Sequence, residues 1–158
     1  ETFIIPEGGS NELALQGCQE NLSQSDLEQY DVIFCAVGTR GTISGLIERS
    51  ASHQKILGCS ALKGDFLQQE IRLWTKKQNW SLTDAYCCGG YAKTSPELLA
   101  FIENFEEQHA VPLEPIYTGK MMFGLFDLIK NNYFAEETRI LAIHSGGLQA
   151  DIRNKSHQ

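Results

Sequence analysis

Long apolar runs, clustered basic residues and paired cysteines are all scarce in this sequence. No apolar run approaches the roughly 18 residues needed to cross a bilayer, and the opening stretch ETFIIPEGGS has neither the basic nor the hydrophobic region of a signal peptide. A soluble, cytoplasmic chain is the expectation. Only 13 lysines and arginines stand against 20 acidic residues, for a formal net charge of −7, and no basic cluster exceeds the TKK at 75–77. That balance speaks against a nucleic-acid partner, because neutralising phosphates along a duplex requires a basic face. Local binding of a small anion stays open. The cysteines, Cys18, Cys35, Cys59, Cys87 and Cys88, are odd in number and form no CxxC pair, so neither a disulfide framework nor a zinc site is indicated, and no metal is expected. They read as mostly reduced core thiols, with a redox role for the adjacent Cys87 and Cys88 as the alternative.

What is present is an alternation. At 158 residues with 42% hydrophobic and 21% charged side chains, the chain is long enough for one globular core. It shows no repeat, low-complexity tract or linker, so residues 1–158 read as a single domain. Apolar runs of strand length alternate with amphipathic stretches of helix length, which gives an α/β fold: a mostly parallel open sheet flanked by helices. Strands are expected at TFIIP (2–6), DVIFCAV (31–37), KILGCSAL (55–62), SLTDAYCC (81–88) and RILAIHS (139–145). Helices are expected from a Ser10 or Asn11 cap to about Leu22, and at TISGLIERS (42–50), DFLQQEIRLWTKKQ (65–78), SPELLAFIENFEEQH (95–109) and KMMFGLFDLIKNN (120–132). In the fourth of these, Ser95 is the cap and Pro96 takes the first helical position.

Ligands of open α/β sheets bind beyond the carboxyl ends of the strands. The segments that follow the expected strands there are PEGGSN (6–11), GTRGT (38–42), GGYAKTSPE (89–97) and HSGGLQ (144–149). Each joins glycines, which let backbone approach a ligand, to hydroxyl or imidazole groups that can bond it. In GTRGT the amides of a glycine turn opening a helix converge on one spot where the helix dipole favours an anion, and Thr39 and Thr42 add hydroxyls. It is not a Walker loop, since no GKS or GKT follows, and it lacks the GxGxxG spacing of a dinucleotide fingerprint. An ordinary strand-to-helix turn is the competing reading of the same residues.

Taken together and in order, PEGGSN, GTRGTISGL, SALKGDFL, GGYAKTSPELLAFI, LEPIYTGKMMFGLFDLI and RILAIHSGGLQ resemble the D-cysteine desulfhydrase and 1-aminocyclopropane-1-carboxylate (ACC) deaminase family. These are enzymes dependent on pyridoxal 5'-phosphate (PLP), with the tryptophan-synthase-β-like fold type II. The resemblance implies PLP as cofactor, with Gly38, Thr39, Gly41 and Thr42 as the cup for its phosphate. Arg40 departs from the small or neutral residue often found in that turn, and either contacts the phosphate or points to solvent. Ser145, followed by Gly146, matches the hydroxyl that meets the pyridine nitrogen. Thr118 matches a position beside the ring where ACC deaminases tend to carry Glu and D-cysteine desulfhydrases Thr, which favours the desulfhydrase side. Tyr91 and Tyr117 match active-site tyrosines near substrate and cofactor, able to relay a proton or hold the substrate. His144 reads as a hydrogen-bonded histidine at a strand end.

The covalent lysine and the Ser-Asn segment that holds the substrate carboxylate belong to the family's N-terminal half, before the point that matches Glu1. The chain therefore resembles the C-terminal half of such an enzyme, and Lys63, Lys93 and Lys120 are not expected to replace that lysine. The implied activity of the complete enzyme is β-elimination from a small amino acid, D-cysteine giving sulfide, pyruvate and ammonia, with ACC ring opening to 2-oxobutanoate and ammonia as the alternative. By itself the chain is expected to be inactive. A homodimer is implied by the resemblance alone. A truncated, non-catalytic module binding PLP or phosphate, an interaction protein, and a plain nucleotide binder are the other readings. The last lacks an acidic residue at ribose-contact spacing after the turn.

Overall fold

The two most apolar runs become the two central strands. In the computed structural model, which describes residues 11–148, Val32–Val37 forms β1 and Lys55–Ser60 forms β2. They pair in parallel from Val32 opposite Lys55 to Val37 opposite Ser60. Trp80–Thr83 (β3) adds beside β2 and Ile140–Ile143 (β4) beside β1, both parallel, so the order is β3-β2-β1-β4. The expected α/β class with a parallel sheet is what forms.

The helices, in chain order, are α1 (Glu12–Gln19), α2 (Gln24–Gln29), α3 (Arg40–Arg49), α4 (Phe66–Arg72), α5 (Pro96–His109) and α6 (Thr118–Lys130). Strand periodicity sends alternate β1 side chains to opposite faces. Ile33, Cys35 and Val37 pack with Ile43, Leu46 and Ile47 of α3 and with Leu67 and Ile71 of α4. Val32 and Phe34, with Leu57 and Cys59 of β2, pack on the other face against Met121 and Leu125 of α6. Helix α5 lies over α6 through Leu98, Ile102 and Phe105. Burial on both faces explains why β1 reads as a continuous apolar run rather than an alternating one.

Boundaries differ where tertiary bonds override local pattern. The helix expected over 65–78 ends at Arg72. Beyond it, Thr75 donates its hydroxyl to Glu48, and the Lys77 ammonium donates to the carbonyls of Glu48 (2.7 Å) and Ser50 (2.9 Å) at the end of α3. Those bonds satisfy helix-terminal acceptors that α3 cannot satisfy itself, and they draw the chain off a helical path. The strand expected over 81–88 stops at Thr83, because residues 84–90 form turns closed by Cys87 N–H to Asp84 and Gly90 N–H to Cys87. Helix α3 begins two residues earlier than expected, at Arg40, with Thr39 as its N-cap. Helix α1 runs only to Gln19, and Asn11 is its cap, accepting from Ala14 N–H at 2.8 Å. Helix α2 was not expected. Its signal is the reciprocal capping box of Ser23 and Asp26. The TFIIP strand and most of PEGGSN lie outside the described residues. Among the described residues no helix is long and apolar enough to cross a membrane.

Candidate functional site

Strands β1 and β4 are neighbours and parallel, so the turns that leave their carboxyl ends face each other. Between them lies a cleft of about 250 Å3 lined by Ala36, Gly38, Thr39 and Thr42 from the β1 side, Ser145, Gly146 and Gly147 from the β4 side, and Tyr117 from the start of α6. The structure thus gathers Gly38, Thr39, Thr42, Tyr117, Ser145 and Gly146 in one place from three distant stretches of sequence. Gly41 is buried in the first turn of α3 and does not line the cleft. Tyr91 stands at the rim, 57% exposed, with its ring centroid 6.1 Å from that of Tyr117.

The β1 side has the character of an anion site. Thr39 caps α3 with extended backbone but its side chain makes no capping bond, and no acidic residue occupies the first turn. The amides at this helix start therefore present their positive end to the cleft without an internal carboxylate to offset it. Gly38 has no alternative here: a Cβ on it would come within 2.5 Å of Tyr117 Cε1. The tyrosine ring lies directly on the bare turn.

Arg40 takes neither of the two positions considered for it. Its guanidinium pairs with Glu70 of α4 and stacks over the Trp74 ring at 4.5 Å. The charge is paired with a neighbour rather than offered to the cleft, on a side chain that stays 30% exposed.

Thr118, expected among the cofactor-binding residues, is instead fully buried. Its hydroxyl accepts from the Glu114 amide (3.1 Å) and lies 3.1 Å from Glu114 Oε1, to which it donates. The physical reason is Glu114 itself, a wholly buried carboxylate that sequence reasoning missed. It accepts from the amides of Ile116 (2.6 Å), Tyr117 (2.9 Å) and Thr118 (2.5 Å) and so caps α6 from outside the helix. The available signal was a poor one: Tyr117 occupies the N-cap and makes no capping bond with its own side chain, so some other acceptor had to serve.

On the β4 side, the Gly146 amide donates to His144 Nδ1 at 3.1 Å, which leaves the ring proton on Nε2, 2.9 Å from the Pro112 carbonyl. His144 is therefore a hydrogen-bonded imidazole that ties the Ser145–Gly147 turn to the loop before Tyr117. Gly146 and Gly147 hold φ of +88° and +86°, a pair of left-handed residues that other side chains adopt at a cost.

Of the lysines weighed as covalent partners for a cofactor, Lys63 and Lys93 are exposed on loops. Lys120 is 1% exposed, and its ammonium donates to the carbonyls of Cys87 (2.8 Å) and Gly90 (2.9 Å). Burial lowers its pKa, against the opposing pull of Cys88, Cys87, Cys59 and Glu114. No lysine among the described residues lines the cleft. Among the described residues no group of three or more metal-ligating side chains is assembled.

No protein-family model matches the chain. A Thermotoga maritima protein that carries a provisional ACC deaminase name is 30% identical over 167 residues, spanning 94% of the chain. By sequence the chain is similar to proteins named ACC deaminase and D-cysteine desulfhydrase. Proteins named D-cysteine desulfhydrase from two Klebsiella pneumoniae strains are 28% and 29% identical, again over 94% of the chain. The solved structure of an ACC deaminase homologue superposes with a TM-score of 0.80 over 94% of the chain at 22% identity, which shows a shared fold. The chain spans about half the length of the curated relatives it matches, 52% and 51%, and 50% of the solved chain.

Proposed function

We propose that this chain is the phosphate-anchoring part of a PLP-dependent deaminating lyase. The observation that carries the reading is the cleft between the β1 and β4 turns, with the start of α3 and the Thr39 and Thr42 side chains on one side and the Ser145 hydroxyl on the other. Those residues fit a phosphorylated pyridine. The amides at Thr39 to Thr42 and the hydroxyls of Thr39 and Thr42 would hold the phosphate. Ser145 would meet the ring nitrogen through a neutral hydrogen bond, and the bare Gly146 backbone leaves room for close approach. Bound PLP supplies an electron sink for the charge left when an amino acid loses its α-proton. Around it, Tyr117 and Tyr91 would hold the substrate or move a proton at their phenol oxygens.

D-cysteine is the preferred substrate class, its reaction with water giving hydrogen sulfide, pyruvate and ammonia. The preference rests on the resemblance at Thr118, a position where D-cysteine desulfhydrases tend to carry Thr and ACC deaminases Glu. ACC ring opening is the alternative, supported by the name of the Thermotoga maritima relative. A non-catalytic phosphate-binding module is the second reading, favoured by one observation, that among the described residues no lysine lines the cleft.

Borohydride reduction of the protein from its source cells, followed by intact mass and peptide mapping, separates these readings. A mass above the 17.7 kDa of this sequence, with pyridoxyl on a lysine outside it, is the expected result. A mass equal to this chain with no adduct would leave only the binding module. Turnover of D-cysteine by the 158 residues alone would overturn the assignment of the covalent lysine to other sequence.

A further inference from the structure

The most deeply buried cation among the described residues sits outside the cleft, yet both of its hydrogen bonds lead back to it. Lys120, in the first turn of α6, directs its ammonium at the Cys87 and Gly90 carbonyls. Those carbonyls close consecutive turns, since Cys87 also accepts from the Gly90 amide at 3.0 Å and Gly90 from the Lys93 amide at 3.3 Å. The segment between them is strained: Cys88 and Ala92 hold φ of +55°, a left-handed conformation costly for non-glycine residues, and Gly89 and Gly90 hold +88° and +135°. Such a conformation persists only where surrounding contacts impose it. Tyr91 is the next residue after Gly90, and Tyr117 is the N-cap of the helix that carries Lys120.

Helix α6 grips the same loop at other points. Gly124 lies against the Tyr86 ring, and the Tyr86 hydroxyl donates to Asp127 at 2.9 Å. These contacts hold the start of the loop. The Lys120 ammonium reaches its far end, at Gly90.

We propose that Lys120 is a positioning residue: its ammonium fixes the 87–92 loop to the start of α6 and so sets Tyr91 against Tyr117 at the mouth of the cleft. The catalytic meaning of that pair rests on the function proposed above; the anchoring does not. A methylene stem alone would fill the same space without donors, so Lys120→Met isolates the two charge-assisted bonds.

The test is nuclear magnetic resonance on the 158-residue chain with ring-labelled tyrosine. In the unaltered protein, a ring-to-ring contact between Tyr91 and Tyr117 and a slowly exchanging Lys120 ammonium signal are expected. In Lys120→Met the ring contact should vanish and the Gly90 and Lys93 amides should exchange about 10- to 100-fold faster, as loss of two bonds to a charged donor implies, while amides of β1 and α5 stay as they were. A ring contact that survives in Lys120→Met overturns the proposal. Should that variant fail to fold, the unaltered protein still decides: an ammonium of Lys120 in fast exchange with solvent overturns it. Adding PLP reads the functional assignment separately. Both tyrosines should shift in the unaltered protein and only Tyr117 in Lys120→Met. Absence of any shift in the unaltered protein removes the cofactor reading and leaves the anchoring to be judged on the ring contact.

Discussion

Replacing Gly38 by Ala places a methyl group 2.5 Å from Tyr117 Cε1 and 3.2 Å from its Cζ. Ordinary carbon contacts lie near 3.5–4.0 Å, so the ring must give way by about 1 Å. It cannot do so by moving its backbone, because the Tyr117 amide is bonded to buried Glu114. The ring must instead rotate about its Cα–Cβ bond. Overpacking of this kind costs about 1–3 kcal/mol, and a half-buried ring places the loss near the lower end, about 1–2 kcal/mol. For a chain of this size that lowers the melting temperature by roughly 2–8 °C. Thermal unfolding followed by circular dichroism measures it, with near-ultraviolet tyrosine signals reporting the ring. The decisive comparison is the same substitution made on Tyr117→Ala, where the methyl meets no ring and the cost should fall below about 0.5 kcal/mol. An equal loss in both backgrounds, or no loss in either, refutes the reasoning.

Glu114→Ala leaves the Ile116, Tyr117 and Thr118 amides without their acceptor inside the protein, and should destabilise the chain by about 2–4 kcal/mol in denaturant unfolding. A loss under 1 kcal/mol would show that the cap is dispensable. At pH 8, Cys18 and Cys88 should alkylate in the folded protein. Cys35 and Cys59, whose pKa values burial pushes up to about 12, should stay unlabelled until unfolding, because only about one thiol in ten thousand is then ionised; peptide mapping reads this directly. The Asp31 carboxyl is held below its usual pKa by the Arg139 side chain and amide. A depressed carboxyl stabilises the fold above its unfolded pKa and ceases to as pH falls through its folded one. Denaturant midpoints should therefore show a component lost below about pH 4 that disappears in Asp31→Asn.

The fold was largely legible because its central strands are buried on both faces. DVIFCAV and KILGCS carry enough apolar surface to declare themselves without any partner in view. The cleft was legible through its glycines and hydroxyls, which have few other reasons to follow a strand. What could not be read was side-chain direction. Thr118 and Arg40 sit at sequence positions next to the cleft, yet the first turns inward to Glu114 and the second sideways to Glu70 and Trp74. The first is set by a carboxylate four residues upstream, the second by partners 30 or more positions away. Glu114, and the burial of the Lys120 ammonium, escaped notice for the same reason: a buried charge is recognisable only from the backbone groups that converge on it. The early stop of α4 likewise depends on Lys77 reaching the end of α3.

The strand order carries a consequence for how the chain acquires its structure. Strand β1, the first among the described strands, has β4, the last of them, as one of its two neighbours. Asp31 and Arg139, which close that pairing, are 108 positions apart. Contacts so distant in sequence are slow to form, since the chain between them must be ordered or looped out first. During synthesis, β1 and β2 can meet as soon as Ser60 has emerged, but one long edge of β1 stays open until Ile143 has left the ribosome. Through that interval the apolar strand at the heart of the sheet is an unpaired edge, available to any other chain that offers one.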